Sequence, residues 1–400
     1  MDSLLGVESR PQPKSKSGEW GKRLFDKTNR SRREFLRGLA GAVAAGLLEQ
    51  ACRALGVQPS TAYSTPSATP LLPLTESATP SAAPLPTPSA TALPSPTLAS
   101  MIGRVALVET EDRAEGVRRA LELLGLNPVQ GKRVLIKPNY NTADPAPAST
   151  HPDVLRSLVA WVRDSSAGSI SIGDRSGMAV TRQAMQTAQA FSIAKQYGLS
   201  TVVFDELGLD GWVRQMPPGS HWRQGFYFAR PALEAEAVVL ACCLKTHRFG
   251  GHFSLSLKDA VGMVAKAVPG DGHNYMTELH NSPNQRSMIA EVNTAYTPAL
   301  IVIDGVDAFV QGGPETGTKV HSKVVLAGAD RVALDAVGVA LLRYYGTTAE
   351  VSGGPVFGQE QIARAVELGL GVNSPREIQI ITGDAQSEDY AAALRPILGA

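Results

Sequence analysis

The strongest constraint on this chain is the stretch Glu236–Lys266, EAVVLACCLKTHRFGGHFSLSLKDAVGMVAK. Its first part, Ala237 to Leu244, is apolar without a break and rich in Val and Leu. A run of this kind has the character of a strand buried on both faces. It stops at Lys245, Thr246, His247 and Arg248, passes Gly250 and Gly251, and leads beyond His252 into a helical pattern from Ser254. Leu257, Val261, Val264 and Ala265 form one stripe of that helix, and Lys258 and Asp259 fall in its first turns. Strand, charged glycine loop and helix in this order fit an open α/β sheet, where ligands bind outside the carboxyl ends of the strands.

The same alternation runs through residues 101–400. Strands are predicted at Arg104–Val108, Arg133–Ile136, Ser169–Ile172, Thr201–Phe204, Phe226–Ala229, Ala299–Ile303, Lys323–Ala327 and Glu377–Ile381. Helices are predicted near 117–124 (stopped by Gly125), from a cap at Asp153, over 181–197, 284–296, 330–345 and 359–368, with a polar loop over 267–283. Strands alternating with helices imply an α/β body: a mostly parallel sheet with helices on both faces.

Composition changes sharply before that body. Residues 57–100 are almost entirely Ser, Thr, Pro, Ala and Leu. Such a segment buries too little apolar surface to offset its ordering entropy and reads as a disordered, semi-rigid stalk. Residues 1–56 read as an export signal: Ser31-Arg32-Arg33-Glu34-Phe35-Leu36-Arg37 precedes the apolar stretch Gly38–Leu48, too short to span a membrane comfortably. The paired arginines resemble a twin-arginine signal, so the translocation machinery of that pathway is an expected partner. The expected location is extracytoplasmic, either released or tethered by the signal anchor or by a lipid on Cys52. Glu49-Gln50-Ala51 is a poor lipoprotein cleavage box.

Charge and cysteine usage exclude several classes. Residues 1–60 hold 11 Lys and Arg against 6 Asp and Glu, whereas residues 101–400 hold 27 against 30. A slightly acidic body offers no basic face for nucleic acid. Besides Cys52 there are only Cys242 and Cys243, adjacent and therefore pointing to opposite faces of a strand. They read as two small buried hydrophobes, and no spacing fits an iron–sulfur cluster or a structural zinc. Composition gives no oligomeric state.

Four predicted strands end in polar loops: Lys137-Pro138-Asn139-Tyr140-Asn141, Gly173-Asp174-Arg175-Ser176-Gly177, Lys245-Thr246-His247, and Asp304-Gly305-Val306-Asp307. In a parallel sheet these ends share one edge. They predict a crevice in which Lys245, His247 and Asp174 carry chemistry. Lys137, Asn139, Asn141, Arg175, Ser176, Lys258, His280 and Asp304 bind the ligand. Lysines and arginine together suit a small anion, phosphate or carboxylate, assisted by helix amides near Ser254. The alternative is a divalent metal on His247, His252 and His280 with Asp174 or Asp304, which the neighbouring lysines oppose. The crevice is expected at the scale of small-molecule sites, about 300–1,000 Å³. No Ser-His-Asp order, phosphate-binding glycine loop or dinucleotide fingerprint is present.

Several stretches together resemble the family called domain of unknown function 362: VLIKPNYN (Val134–Asn141), GDRSG (173–177), LKTHRFGGHFSLSLKDAVGMV (244–264), IDGVDAFVQGGPETG (303–317), LAGADRVALDAVG (326–338) and ELGLG (367–371). The resemblance covers about residues 102 to 384. It implies the α/β fold and the site at the strand ends. Relatives often have Asn where this chain has Asp259, and many carry ferredoxin-like cysteine clusters that this chain lacks. The expected function is an exported protein, most simply an enzyme acting on a small anion. The alternative is a non-catalytic solute-binding or accessory protein of a membrane redox complex.

Overall fold

The computed structural model describes residues 103–399. The expected export signal at 1–56, with Arg32, Arg33 and Cys52, and the expected stalk at 57–100 lie outside the described residues. A sheet of ten strands organises the body. In chain order they are β1 (Gly103–Glu109), β2 (Arg133–Pro138), β3 (Ser169–Asp174) and β4 (Ser200–Val203). A separate hairpin, β5 (Trp212–Gln215) with β6 (Phe226–Ala229), comes next. Then follow β7 (Ala237–His247), β8 (His252–Ser254), β9 (Pro298–Gly312), β10 (Gly317–Val320), β11 (Val324–Gly328) and β12 (Ile378–Ile381).

The order across the sheet is β12-β1-β11-β9-β7-β2-β3-β4, with β10 beside β9 and β8 beside β7. Along this path only β11 runs against the rest. The central strand β7 is buried along its whole length. Its side chains alternate between two cores, Val238, Leu240, Cys242 and Leu244 entering one, Ala237, Val239 and Ala241 the other. One core is closed by helices Arg113–Leu124, Pro152–Asp164, Thr181–Thr187 and Ala190–Tyr197. The other is closed by Gln285–Val292, Arg331–Tyr344, Glu360–Glu367 and Ala385–Leu398. Cys242 and Cys243 are buried and free.

The chain steps from β2 to β3 to β4 in one direction and from β7 to β9 in the other. Neighbours β2 and β7 therefore flank the point where strand order reverses, the usual ligand position in such sheets.

The structure departs from the sequence expectation in ways that matter for the site. β7 does not end at Leu244. It continues to His247 and folds back on β8, pairing Lys245 with Ser254 and His247 with His252. β9 does not end at Ile303, because β11 pairs antiparallel with Asp304 and Gly305 and holds them in the sheet. The expected helix from Ser254 is one short turn, Ser256–Asp259, followed by a 3₁₀ turn, Ala260–Met263. Within the expected polar loop, Tyr275–Asn281 is helical, with Asn274 accepting from Thr277 N at 2.8 Å. The predicted helix over 181–197 breaks at Gln189, whose φ is 65°. The cap of helix Pro152–Asp164 is His151, not Asp153.

Candidate functional site

A cleft opens at the carboxyl ends of β2, β3 and β7. It is lined by Lys137, Asn139, Asn141, Asp174, Arg175, Lys245, His247, Lys258 and His280, along with Tyr140, Asp259 and Met276 among others. Its volume is about 90 Å³, well below the expected scale. Helix Tyr275–Asn281 narrows it by bringing Met276 and His280 to its wall.

The floor is a closed ion cluster. Lys137 leaves β2 fully buried, and its Nζ lies 2.9 Å from Asp174 Oδ1 and 2.9 Å from Asp259 Oδ1, and donates to Pro138 O at 2.7 Å. Three donors thus meet three oxygens. Burial pulls the ammonium down, but the two carboxylates outweigh it and hold Lys137 above its ordinary range. Asp174 also accepts from Tyr140 N and Arg175 N at 2.8 and 2.7 Å. Burial still pushes its carboxyl up to about 6, against the pull of Lys137. Burial raises Asp259 too, and Lys137 and Asn139 oppose it. Close packing here requires Gly262: a Cβ at that position would sit 2.6 Å from Lys137 Nζ and 2.8 Å from Asp174 Oδ1.

The walls are built on a different plan. Lys245 Nζ donates to Asn139 Oδ1 at 2.7 Å and to Ala148 O, both uncharged oxygens. Asn139 in turn donates to Asp259 Oδ1 at 2.8 Å. Arg175 donates to the backbone oxygens of Ser176 and Val261. Lys258 is partly exposed in the cleft. Burial, then the nearby charges of Lys245 and Arg175, bring its amine down to about 7. Burial likewise lowers Lys245 and Arg175. None of these three cations has a carboxylate within salt-bridge distance among the described residues. The cleft therefore holds four basic side chains against two acids, and both acids are spent on Lys137.

Two histidines complete the walls. His247 is buried, and burial followed by the charges of Lys258, His280 and Lys245 keeps its imidazole neutral, well below its usual range. His280 Nδ1 lies 2.7 Å from Met276 O, which assigns its proton to Nδ1 and leaves Nε2 as an acceptor. The two rings lie 6.4 Å apart. Five buried polar atoms of the lining have no partner among the described residues: Tyr140 Oη, Asn141 Nδ2, Arg175 Nε, His247 Nδ1 and Asp259 Oδ2. Buried polar groups are ordinarily satisfied, so such a concentration in one cleft marks a place prepared for a polar ligand.

Of the residues predicted from sequence, nine come together here, and two do not. Ser176 is a turn-former: its Oγ donates to Asn141 O at 2.7 Å and accepts from Ala179 N at 3.0 Å. Asp304 accepts from Arg113 Nε at 2.8 Å and from Val306 N at 3.0 Å, outside the cleft. The anticipated anion-binding amides are also taken. Asp335 accepts from Ser256 N at 2.8 Å and Leu257 N at 3.1 Å, capping the short helix from below, and burial pushes its carboxyl up to about 7. The residues of the metal alternative are not gathered in one place. His252 faces a neighbouring depression, and among the described residues no three His, Cys, Asp or Glu side chains converge as metal ligands.

Sequence reasoning did not place Tyr140, Met276 or Gly262 at the site, nor give Asp259 a role in it. Tyr140 lies between two predicted ligands, Asn139 and Asn141, and Asp259 follows Lys258, so adjacency was the available signal. Met276 and Gly262 had none.

Residues 134–340, about half the chain, match the family described as Domain of unknown function (DUF362). No curated protein matches the chain. Among solved structures, the lactate racemase apoprotein from Thermoanaerobacterium thermosaccharolyticum is similar at 17% identity and a TM-score of 0.33. The match covers 52% of this chain and 51% of that one, so the chain spans about half the length of that structure.

Proposed function

We propose that this chain, which belongs to the DUF362 family, is an exported enzyme that binds a small anion, phosphate or carboxylate, at the carboxyl ends of β2, β3 and β7 and performs acid–base chemistry on it. One observation carries the reading: Arg175, Lys245 and Lys258 line one cleft without a carboxylate partner among the described residues. Isolated buried charge is costly, and cations gathered this way are stabilised by an anion that brings the missing negative charge. The small volume selects a compact anion or the head of a larger one. Acid–base capacity near neutrality is supplied by Lys258, with the neutral His247 imidazole beside it.

The test is calorimetric titration of the full chain with inorganic phosphate and with malonate, repeated on Lys245→Ala. Binding to the unaltered protein and a loss of about 2–5 kcal/mol in the variant are expected, the scale for removing one partner of a buried charged contact. Equal affinity in both proteins removes Lys245 from the site. Tight binding without turnover of any phosphorylated or carboxylated compound would turn the enzyme into a solute clamp.

Export rests on the order Ser31-Arg32-Arg33-Glu34-Phe35-Leu36 ahead of an apolar stretch. Among the described residues no helix is long and apolar enough to cross a membrane. Replacing Arg32 and Arg33 together by Lys should retain the protein in the cytoplasm, as followed by fractionation. Unchanged delivery would remove the twin-arginine reading.

A further inference from the structure

The three lysines of the cleft differ in what their nitrogens are free to do. Lys137 Nζ meets three oxygens, two of them carboxylates. Lys245 Nζ is held by Asn139 and Ala148. Lys258 Nζ has no hydrogen-bond or carboxylate partner among the described residues, and its nearest charged neighbours include the cations Lys245 and Arg175. An amine placed beside other cations sheds its proton near neutrality and becomes a nucleophile. Its surroundings also hold a proton acceptor. A Cβ on Gly251 would lie 2.7 Å from Lys258 Cε and 3.0 Å from His247 Nδ1, so the lysine stem and the imidazole converge on the same glycine. His247 Nδ1 is one of the buried atoms without a protein partner.

We propose that Lys258 is a covalent catalyst that forms an imine with the carbonyl group of a small oxo acid whose carboxylate is held by Arg175 and Lys245. The inference rests on the anion-binding reading and narrows its substrate class to compounds with a carbonyl next to, or one carbon from, a carboxylate. In the step, the Lys258 Nζ lone pair adds to the carbonyl carbon, and the C=O π electrons move to oxygen, which takes a proton from solvent. The nitrogen then loses a proton to His247, which returns it to the hydroxyl. That hydroxyl leaves as water while the nitrogen lone pair forms C=N. Amine, carbonyl and one proton from solvent give iminium and one water, with no oxidation or reduction. The resulting iminium withdraws electrons from the neighbouring carbon, the usual reason for employing a lysine in this way.

The test is reductive trapping. The full chain is incubated with pyruvate, the smallest 2-oxo acid, and cyanoborohydride, which reduces the imine to a stable secondary amine. Adducts are then located by peptide mass mapping. The expected result is labelling at Lys258 at least about tenfold faster than at the exposed Lys132 and Lys195. Inorganic phosphate should suppress it, and it should be absent from Lys258→Arg, which keeps the charge. Labelling of Lys258 no faster than of Lys132 and Lys195, or labelling unaffected by saturating phosphate, overturns the proposal. Mapping the unaltered protein decides the matter even if the variant does not fold. Calorimetry separates the two levels. If pyruvate and phosphate bind but no Lys258 adduct forms, only the imine falls. If neither binds, the anion reading falls with it.

Discussion

Lys137 and Lys258 belong to one cleft, yet among the described residues Lys137 touches three oxygens and Lys258 none. Around Lys137 the chain has placed Asp174 and Asp259 and sealed the cluster beneath Gly262. Around Lys258 it has placed Lys245, Arg175 and a neutral histidine, with Asp259 the weaker opposing charge. The first arrangement satisfies every donor of its lysine and leaves only Asp259 Oδ2 without a partner among the described residues. The second is unfavourable until a negative charge arrives. Concentrating all the negative charge on the floor leaves the walls cationic, and the cleft remains receptive because its two acids are already engaged. On the proposed reading, fold stability and ligand affinity rest on different lysines of one cleft.

The largest effect should come from breaking the floor. Lys137→Met leaves two buried carboxylates facing each other, and removal of one partner from a buried ion cluster costs about 3–5 kcal/mol. Denaturant midpoints at pH 7 measure it. Without the lysine both carboxyl groups keep folded-state pKa values above the usual carboxylate range, so the native state holds protons that the unfolded chain has released. Lys137 is what pulls the Asp174 carboxyl down, so without it that carboxyl rises further, and the variant should recover stability as pH falls, beginning above about 6, the opposite of ordinary acid denaturation. A loss under about 1 kcal/mol would mean that Lys137 is no keystone and that the contrast with Lys258 is false.

A smaller effect of opposite sign should come from the wall. Lys258→Met removes a cation from among cations and should stabilise the unliganded protein by about 1–2 kcal/mol at pH 7, discounted because the side chain is partly exposed. The sign follows from linkage. The amine is held at about 7 in the folded protein against its ordinary 10.5, so the unfolded chain binds the extra proton between those values and native stability rises with pH across that window. The advantage of the variant should be greatest below pH 7 and vanish above about 10.5. Thermal melts along this range test it, and a variant that melts lower at pH 6 would show that Lys258 supports the fold.

How much of this was legible in the sequence depended on distance along the chain. Strands β2, β3 and β7 announce themselves as apolar runs, and the polar residues at their ends follow from chain order. Their partners do not. Asp259 reaches Lys137 across 122 positions, and Asp335 caps Ser256 across 79. No local pattern encodes either contact. Asp304-Gly305 has the look of a turn, but β11 pairs with it antiparallel and converts it into strand. Helix Tyr275–Asn281 was hidden because a short segment flanked by Gly and Pro has weak helical propensity, and it is packing beside the cleft that makes it fold.

Asp304 gives the smallest expected effect and the sharpest control. It is buried, it pairs in register with Cys243 of β7, and sequence alone groups it with the cleft residues. Its carboxylate instead joins Arg113, which also reaches Asp307 at 2.8 Å. Asp304→Asn keeps the shape, and Arg113 keeps Asp307, so the stability cost should stay near about 1 kcal/mol. Phosphate affinity should change by less than about twofold, because sites without shared partners behave independently. The comparison with Lys245→Ala, run in the same titration, removes general destabilisation as an explanation for lost binding. A tenfold loss of phosphate affinity in Asp304→Asn would bring the end of β9 back into contact with the ligand. It would also dissolve the distinction between a closed floor and open walls, since a third acid would then be answering the cations of the cleft.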